Sequence, residues 1–149
     1  MKATRPEAIR AIAWCALLML SADAWSCSCM PYPEDPAEAA RKAWSQSDAI
    51  VSGKVVEQRP VAGGDAPEAI EVTIAVKRRW KGPKAATLRI RTPESSAACG
   101  YGFQTGRDYV VFAVRAADDE YTTHLCSLTR PLREASKYVS ALDALAASK

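Results

Sequence analysis

Cys27 and Cys29 stand one residue apart in the run Cys27-Ser28-Cys29-Met30-Pro31, and two single cysteines follow at Cys99 and Cys126. A fifth, Cys15, lies in a segment that reads as an address rather than structure. Lys2, Arg5 and Arg10 form a basic start, Ala11 to Leu20 is an apolar run, and Ser21 to Ser26 is rich in small residues. The apolar run is too short to span a bilayer as a helix. The pattern is that of a secretory signal peptide over residues 1–26. Ala22-Asp23-Ala24 and Ala24-Trp25-Ser26 both fit the small-x-small cleavage rule, and the second is preferred because it leaves Cys27 first. A lipoprotein acylated at Cys27 fits poorly, since Ala24 and Trp25 stand where such signals prefer Leu and a small residue.

Four cysteines then remain, an even number in an exported chain, which implies a disulfide framework with three possible connectivities. Pairing Cys27 with Cys29 is sterically poor, so each is expected to reach a distant partner. Closing loops of that length stabilises a fold by roughly 4 kcal/mol each in the chain-entropy model. The formal net charge is +3, and removing residues 1–26 lowers it by one. That is too little for a nucleic-acid footprint. Arg78-Arg79 reads as a solvated strand end. No further stretch is apolar enough to cross a membrane.

Residues 27–149 read as one domain. Pro31, Pro33 and Pro36 keep the chain extended after the CxC. Pro36 to Trp44 then turns helical, with Pro36 suited to a first helical position, and Ser47 and Asp48 end it. Ala49 to Val56 is the first strand. Gln58 to Ala69, with two prolines and Gly63-Gly64, reads as a loop. Ile70 to Trp80 alternates Ile70, Val72, Ile74 and Val76 with Glu71, Thr73, Ala75 and Lys77, a half-buried strand of period two. Lys81-Gly82-Pro83 is its turn. Thr87 to Arg91 alternates likewise. Thr92 to Gly106 is a loop holding Cys99-Gly100-Tyr101. Tyr109 to Val114 is nearly all apolar and is expected to be a central strand, and Tyr121 to Leu128 the last strand. The tail, Arg133 to Ala147, places Ala135, Tyr138, Val139, Leu142 and Leu145 on one helical face, expected to pack on the barrel. The fold expected is mainly β: a five-stranded Greek-key barrel of OB type with a short N-terminal helix and a C-terminal amphipathic helix, a sandwich being the alternative.

The residues do not suggest an enzyme or a bound cofactor. His124, the one histidine, reads as a strand residue. There is no nucleophile elbow, Gly-rich phosphate loop or HExxH. Zinc held by the cysteines and His124 is disfavoured, because C-x-C with two isolated cysteines does not match paired zinc knuckles and export favours oxidation.

The run Cys27-Ser28-Cys29-Met30-Pro31 resembles the start of the tissue inhibitors of metalloproteinases, Cys-x-Cys-x-Pro. Further segments match in order: Ser47-Asp48-Ala49-Ile50-Val51, Val76 to Gly82, Thr92-Pro93-Glu94 through Ala98-Cys99-Gly100-Tyr101, and Thr123 to Ser127. Phe103, Gly106 and Tyr109 to Ala113 look especially like compact bacterial relatives. The resemblance implies a netrin-like OB barrel with disulfides Cys27–Cys99 and Cys29–Cys126. It implies a ridge made of Cys27, Ser28, Cys29, Met30 and Pro31, flanked by Ser95, Ser96, Ala97 and Ala98. In that family the ridge enters the cleft of a zinc metalloproteinase. The free amine and the carbonyl of Cys27 would chelate the protease zinc, and Ser28 would enter the specificity pocket.

Three departures accompany it. The helix Pro36 to Trp44 has no cysteine for the family's third disulfide. The cysteine-rich second domain has no counterpart in this sequence. Gln58 to Ala69 replaces the long hairpin between the first two strands. The expectation is a monomeric, secreted or periplasmic inhibitor. The alternative is a netrin-like module of the cell envelope or exterior that binds a protein or glycan without engaging zinc.

Overall fold

The computed structural model describes residues 27–61, 68–116 and 120–148. The expected signal peptide lies outside the described residues. The first helix, α1, spans Pro36–Gln46. Its start follows from Asp35, whose side chain accepts from the Glu38 N–H at 2.8 Å, and from Pro36 in the first turn, where no N–H is needed. Ala39, Ala40, Ala43 and Trp44 form its buried face. At its end the Ser47 hydroxyl donates back to the Ala43 carbonyl at 2.8 Å. Lys81 donates to the carbonyls of Trp44 at 3.1 Å and Ser47 at 2.5 Å. A cation there satisfies carbonyls that the last turn leaves open.

The strands are β1 Ala49–Val61, β2 Ala69–Lys81, β3 Thr87–Pro93, β4 Asp108–Arg115, β5 Tyr121–Thr122 and β6 Arg130–Pro131. Five of them close into a ring in the order β1-β2-β3-β5-β4, with β4 returning to β1. β6 lies beside Tyr109 and Val110 of β4. The ring is completed by a short parallel match of β3 and β5, Ile90 with Tyr121 and Arg91 with Thr122. Gly82, at φ +97°, makes the turn out of β2, a backbone region that glycine enters without steric cost.

Alternation along the strands divides the apolar residues between two cores. Val51, Val55, Val72, Ile74, Ile90 and Val111 meet inside the ring. Ile50, Val110 and Phe112 point outward and pack with Trp44, Trp80 and Leu142 beneath the helices. Each buried Val, Ile, Leu or Phe contributes about 1.5–3 kcal/mol. The tail opens with a 3₁₀ turn at Leu132–Glu134 and continues as α2, Ser136–Ala147. As expected, its Ala135–Leu145 face packs on the rest of the molecule. Trp80 Nε1 donates to Asp143 at 2.7 Å, tying β2 to α2. Arg78 pairs with Asp143 at 2.5 Å and stacks over Trp80, and the Arg78-Arg79 run lies near the end of β2, which closes at Lys81.

Two expectations are corrected. The expected loop Gln58 to Ala69 is strand at both ends, Gln58 to Val61 belonging to β1 and Ala69 to β2, and its middle lies outside the described residues. β1 continues to Val61 and pairs with β2 through Gln58–Val72, Pro60–Ile70 and Val61–Ala69. Beyond Lys54 the strand leaves β4 and pairs with β2 alone. After the buried Val55, residues Val56 to Val61 are exposed or half-buried, so no apolar period marks them, and an edge tolerates Pro60. The last strand does not run from Tyr121 to Leu128. It ends at Thr122, and a turn and a separate pair, Arg130–Pro131, follow. The Thr123 hydroxyl donates to the Phe112 carbonyl at 2.8 Å, and side chains that bond backbone this way compete with a strand ladder.

Candidate functional site

The strip Cys27–Pro31 has no regular secondary structure. Covalent bonds hold it. Cys27 is joined to Cys99 with Cα atoms 5.2 Å apart, and Cys29 to Cys126 at 5.1 Å. These are the pairings that the resemblance implied. Ser28, Cys29, Met30 and Pro31 are exposed, while Cys27 is half-buried. Met30 is 79 % exposed, the most exposed of the large apolar side chains described.

The loop opposite is built from backbone bonds. β3 ends at Pro93, and the Glu94 N–H donates to the Glu68 carbonyl at 3.1 Å. The segment that enters β2 thus meets the loop, which the expected layout did not include. Ser95 then caps a 3₁₀ turn, Ser96–Ala98, its hydroxyl accepting from Ala98 at 3.2 Å. Its carbonyl accepts from Gly100 at 2.8 Å. Cys99 ends the turn in the left-handed region at φ 66°, unusual for a residue with a side chain. At Gly100 a Cβ would lie 1.9 Å from the Pro93 carbonyl oxygen, so only glycine fits. Ser95, Ser96, Ala97 and Ala98 are all exposed. The Cys27–Cys99 bond joins them to the strip.

A third segment completes the site: the resemblance tied Cys126 to Cys29, but His124 and Leu125 were not expected beside the ridge. The Leu125 N–H donates to the Cys99 carbonyl at 2.7 Å, so the turn His124–Cys126 lies against the loop. Leu125 is 43 % exposed. His124 is not a strand residue: it is exposed in this turn, and its Nδ1 accepts from the Cys126 N–H at 3.1 Å. Behind the turn, Thr123 and Thr129 share a hydrogen bond of 3.1 Å, and the Phe112 N–H donates to Thr129 at 3.0 Å. This buried cluster fixes the base of Cys126. Only the resemblance of the segment Thr123 to Ser127 hinted at it.

The two disulfides touch. Cys27 Sγ lies 3.6 Å from Cys126 Sγ, and the sulfurs of Cys27, Cys99 and Cys126 all lie within 4.8 Å of one another. The cluster has the size of a metal site, but its sulfurs are bonded in pairs. Zinc binds thiolates, and a disulfide sulfur is not one. A groove of ≈ 450 Å³ is lined by Met30, Tyr32, Lys42, Val114, His124 and Cys126.

Three groups around the site titrate away from their ordinary values. A side-chain hydrogen bond with Glu68, and repulsion from it, raise the Glu94 carboxyl above the usual carboxylate range. Burial raises Tyr32, with nearby Arg130 opposing it. Burial, reinforced by Tyr109, pushes the Tyr101 phenol up to about 12.

Among the described residues, no helix is long and apolar enough to cross a membrane. No curated protein matches the sequence. A family model described as "Tissue inhibitor of metalloproteinase" matches residues 25–141, most of the chain. It takes in the CxC strip, the loop ending in Cys-Gly-Tyr and the turn carrying Cys126, the three segments that the disulfides bring together. The chain therefore belongs to the tissue inhibitor of metalloproteinase family.

Proposed function

We propose that this protein is an exported, non-enzymatic inhibitor of zinc metalloendopeptidases, acting as a monomer through the ridge at Cys27. The observation that carries the reading is the Cys27–Cys99 disulfide, which joins an exposed N-terminal strip to the exposed loop Ser95–Ala98. The closed ring of five strands is read as an OB-type barrel spanning the single domain 27–149, and residues 1–26 as its signal peptide.

Cleavage after Ser26 would free the α-amino group of Cys27. That amine and the Cys27 carbonyl then form a bidentate ligand for a protease zinc, whose open position otherwise holds water. The amine must be neutral to ligate. Its reference pKa of about 7.7–8.0 makes the proton inexpensive to lose near pH 7. Ser28 occupies the primary specificity pocket, and Met30 and Pro31 lie along the cleft with Ser95 to Ala98 beside them. Pro31 and two disulfides restrain the strip before binding, which lowers the ordering cost. Disulfides also suit an oxidising compartment, periplasm or exterior.

The test begins with the intact mass of the natively exported protein. A chain starting at Cys27 with no free thiol is expected, followed by inhibition in a panel of zinc metalloproteinases. Ser28→Arg is expected to abolish that inhibition with unchanged Tm. A mature chain starting at Trp25, or acylated at Cys27, sinks the chelation mechanism. The protein would then be read as a binding module on the same scaffold.

A further inference from the structure

We propose that the Cys29–Cys126 disulfide is a thiol-reactive site whose opening transfers Cys27 from Cys99 to Cys126. The inference concerns the sulfur cluster itself and holds whether or not the ridge meets a protease.

Access comes first. Cys29 is exposed, whereas Cys27, Cys99 and Cys126 are half-buried. An incoming thiolate therefore reaches the Cys29 sulfur before the others. Proximity comes second. The sulfur released by that attack belongs to Cys126, and it already lies 3.6 Å from the Cys27 sulfur. Restraint comes third. The 2.7 Å bond from the Leu125 N–H to the Cys99 carbonyl keeps turn and loop side by side after the disulfide opens. The Cys126 N–H stays on His124. The new thiolate is thus held against a second disulfide.

The co-reactant is a small monothiol of the glutathione class. Its thiolate attacks Cys29 Sγ, a mixed disulfide forms, and the Cys29–Cys126 bond breaks with its electron pair on Cys126. The three sulfurs form a triangle rather than a line, so the Cys126 side chain must turn about its Cα–Cβ bond. It then attacks Cys27 Sγ. A Cys27–Cys126 bond forms, the Cys27–Cys99 bond breaks, and Cys99 leaves as a thiolate that takes a proton from water. One thiol enters, one disulfide and one mixed disulfide remain, and one protein thiol is released. No external oxidant is needed. The result detaches Cys27 from the Ser95–Ala98 loop and keeps the chain cross-linked, so the strip is re-aimed without unfolding.

The experiment is a disulfide map. The purified protein is incubated with limiting reduced glutathione at pH 8, acid-quenched, alkylated and mapped by peptide mass spectrometry. The expected product has Cys27 joined to Cys126, glutathione on Cys29 and the alkyl group on Cys99. Its rate of formation is expected to rise about tenfold per pH unit below the thiol pKa of about 8.5. An intact Cys27–Cys99 bond with the alkyl group on Cys126 overturns the proposal, as does no reaction at all. Cys29→Ser, which leaves Cys126 as a free thiol, is expected to yield a mixture of Cys27–Cys99 and Cys27–Cys126 forms. A map showing Cys27–Cys99 alone overturns it too. If that variant does not fold, the map of the unaltered protein still decides. No protease enters the readout, so its outcome is separate from that of the inhibition assay.

Discussion

The Leu125 backbone N–H donates to the Cys99 carbonyl at 2.7 Å. One bond thus links the loop after β3 to the turn after β5, and each of those segments anchors one half of the CxC strip through its own disulfide. The site is a three-way junction of loops, fixed where they cross rather than along their length.

Gly100 is the tightest point of that junction. Gly100→Ala places a Cβ 1.9 Å from the Pro93 carbonyl oxygen and 2.9 Å from that of Ser95. Both neighbours are backbone and cannot rotate away. A loss of about 2 kcal/mol or more is expected, at the upper end of overpacking costs, read from the midpoint of urea denaturation. An unchanged midpoint would show that the loop relaxes freely.

The hydroxyl cluster behind Cys126 carries a separate expectation. Thr129→Val keeps the shape but removes the acceptor for the buried Phe112 N–H, bonded at 3.0 Å. An orphaned buried donor costs about 1–3 kcal/mol. The comparison variant is Ser148→Ala, which removes an exposed hydroxyl bonded at 2.9 Å to the Leu145 carbonyl and should shift stability by less than about 0.5 kcal/mol. Equal effects from the two would remove any special role for the cluster.

How much of this was legible in the sequence differs between elements. The period-two pattern of Ile70 to Val76 and the doubly apolar run Tyr109 to Val114 were readable because each of those strands lies against a core. The helix start at Pro36 was readable because the preference of proline for the first turn is local; the Asp35 cap was not read. The far half of β1 was not, since Glu57 to Val61 are exposed or half-buried and their pairing with β2 leaves no apolar imprint. His124 and Leu125 were not placed in the site, because what puts them there is one backbone bond to a residue far away in sequence. The short β3–β5 match was equally silent: two residue pairs complete the ring.

Alkaline pH is expected to weaken the fold through Tyr101, whose phenol is raised to about 12 by burial and by Tyr109. Below the ordinary value of 10.0 the phenol is protonated in folded and unfolded chains alike, and its contribution to stability is fully present. Between 10 and about 12 the unfolded chain ionises first and gains relative to the folded one, so stability falls as pH rises through this window. Tyr32 acts in the same direction, raised by burial. Thermal unfolding at pH 9, 10.5 and 11.5 reads the decline. Tyr101→Phe should flatten it, and an equally steep decline in that variant would assign it to other groups.

Leu142 is fully buried on α2 and packs in the outer core. Leu142→Ala is expected to cost about 2–5 kcal/mol, the transfer term plus the cavity left behind. Calorimetry should show a lower Tm. Both disulfides should still form, because none of their cysteines lies in this core.

The strands β1 and β4 have a consequence for how the molecule comes apart. Val51 and Val111 belong to the ring's interior, while their neighbours Ile50 and Val110 belong to the layer beneath the helices. A strand cannot let go of one neighbourhood and keep the other. The helical layer and the ring must therefore melt as a single cooperative unit, with the calorimetric enthalpy matching the van't Hoff value. The loops at Cys99 and Cys126 then have only two circumstances, held by an entire folded chain or by disulfides alone, with no half-loosened scaffold between.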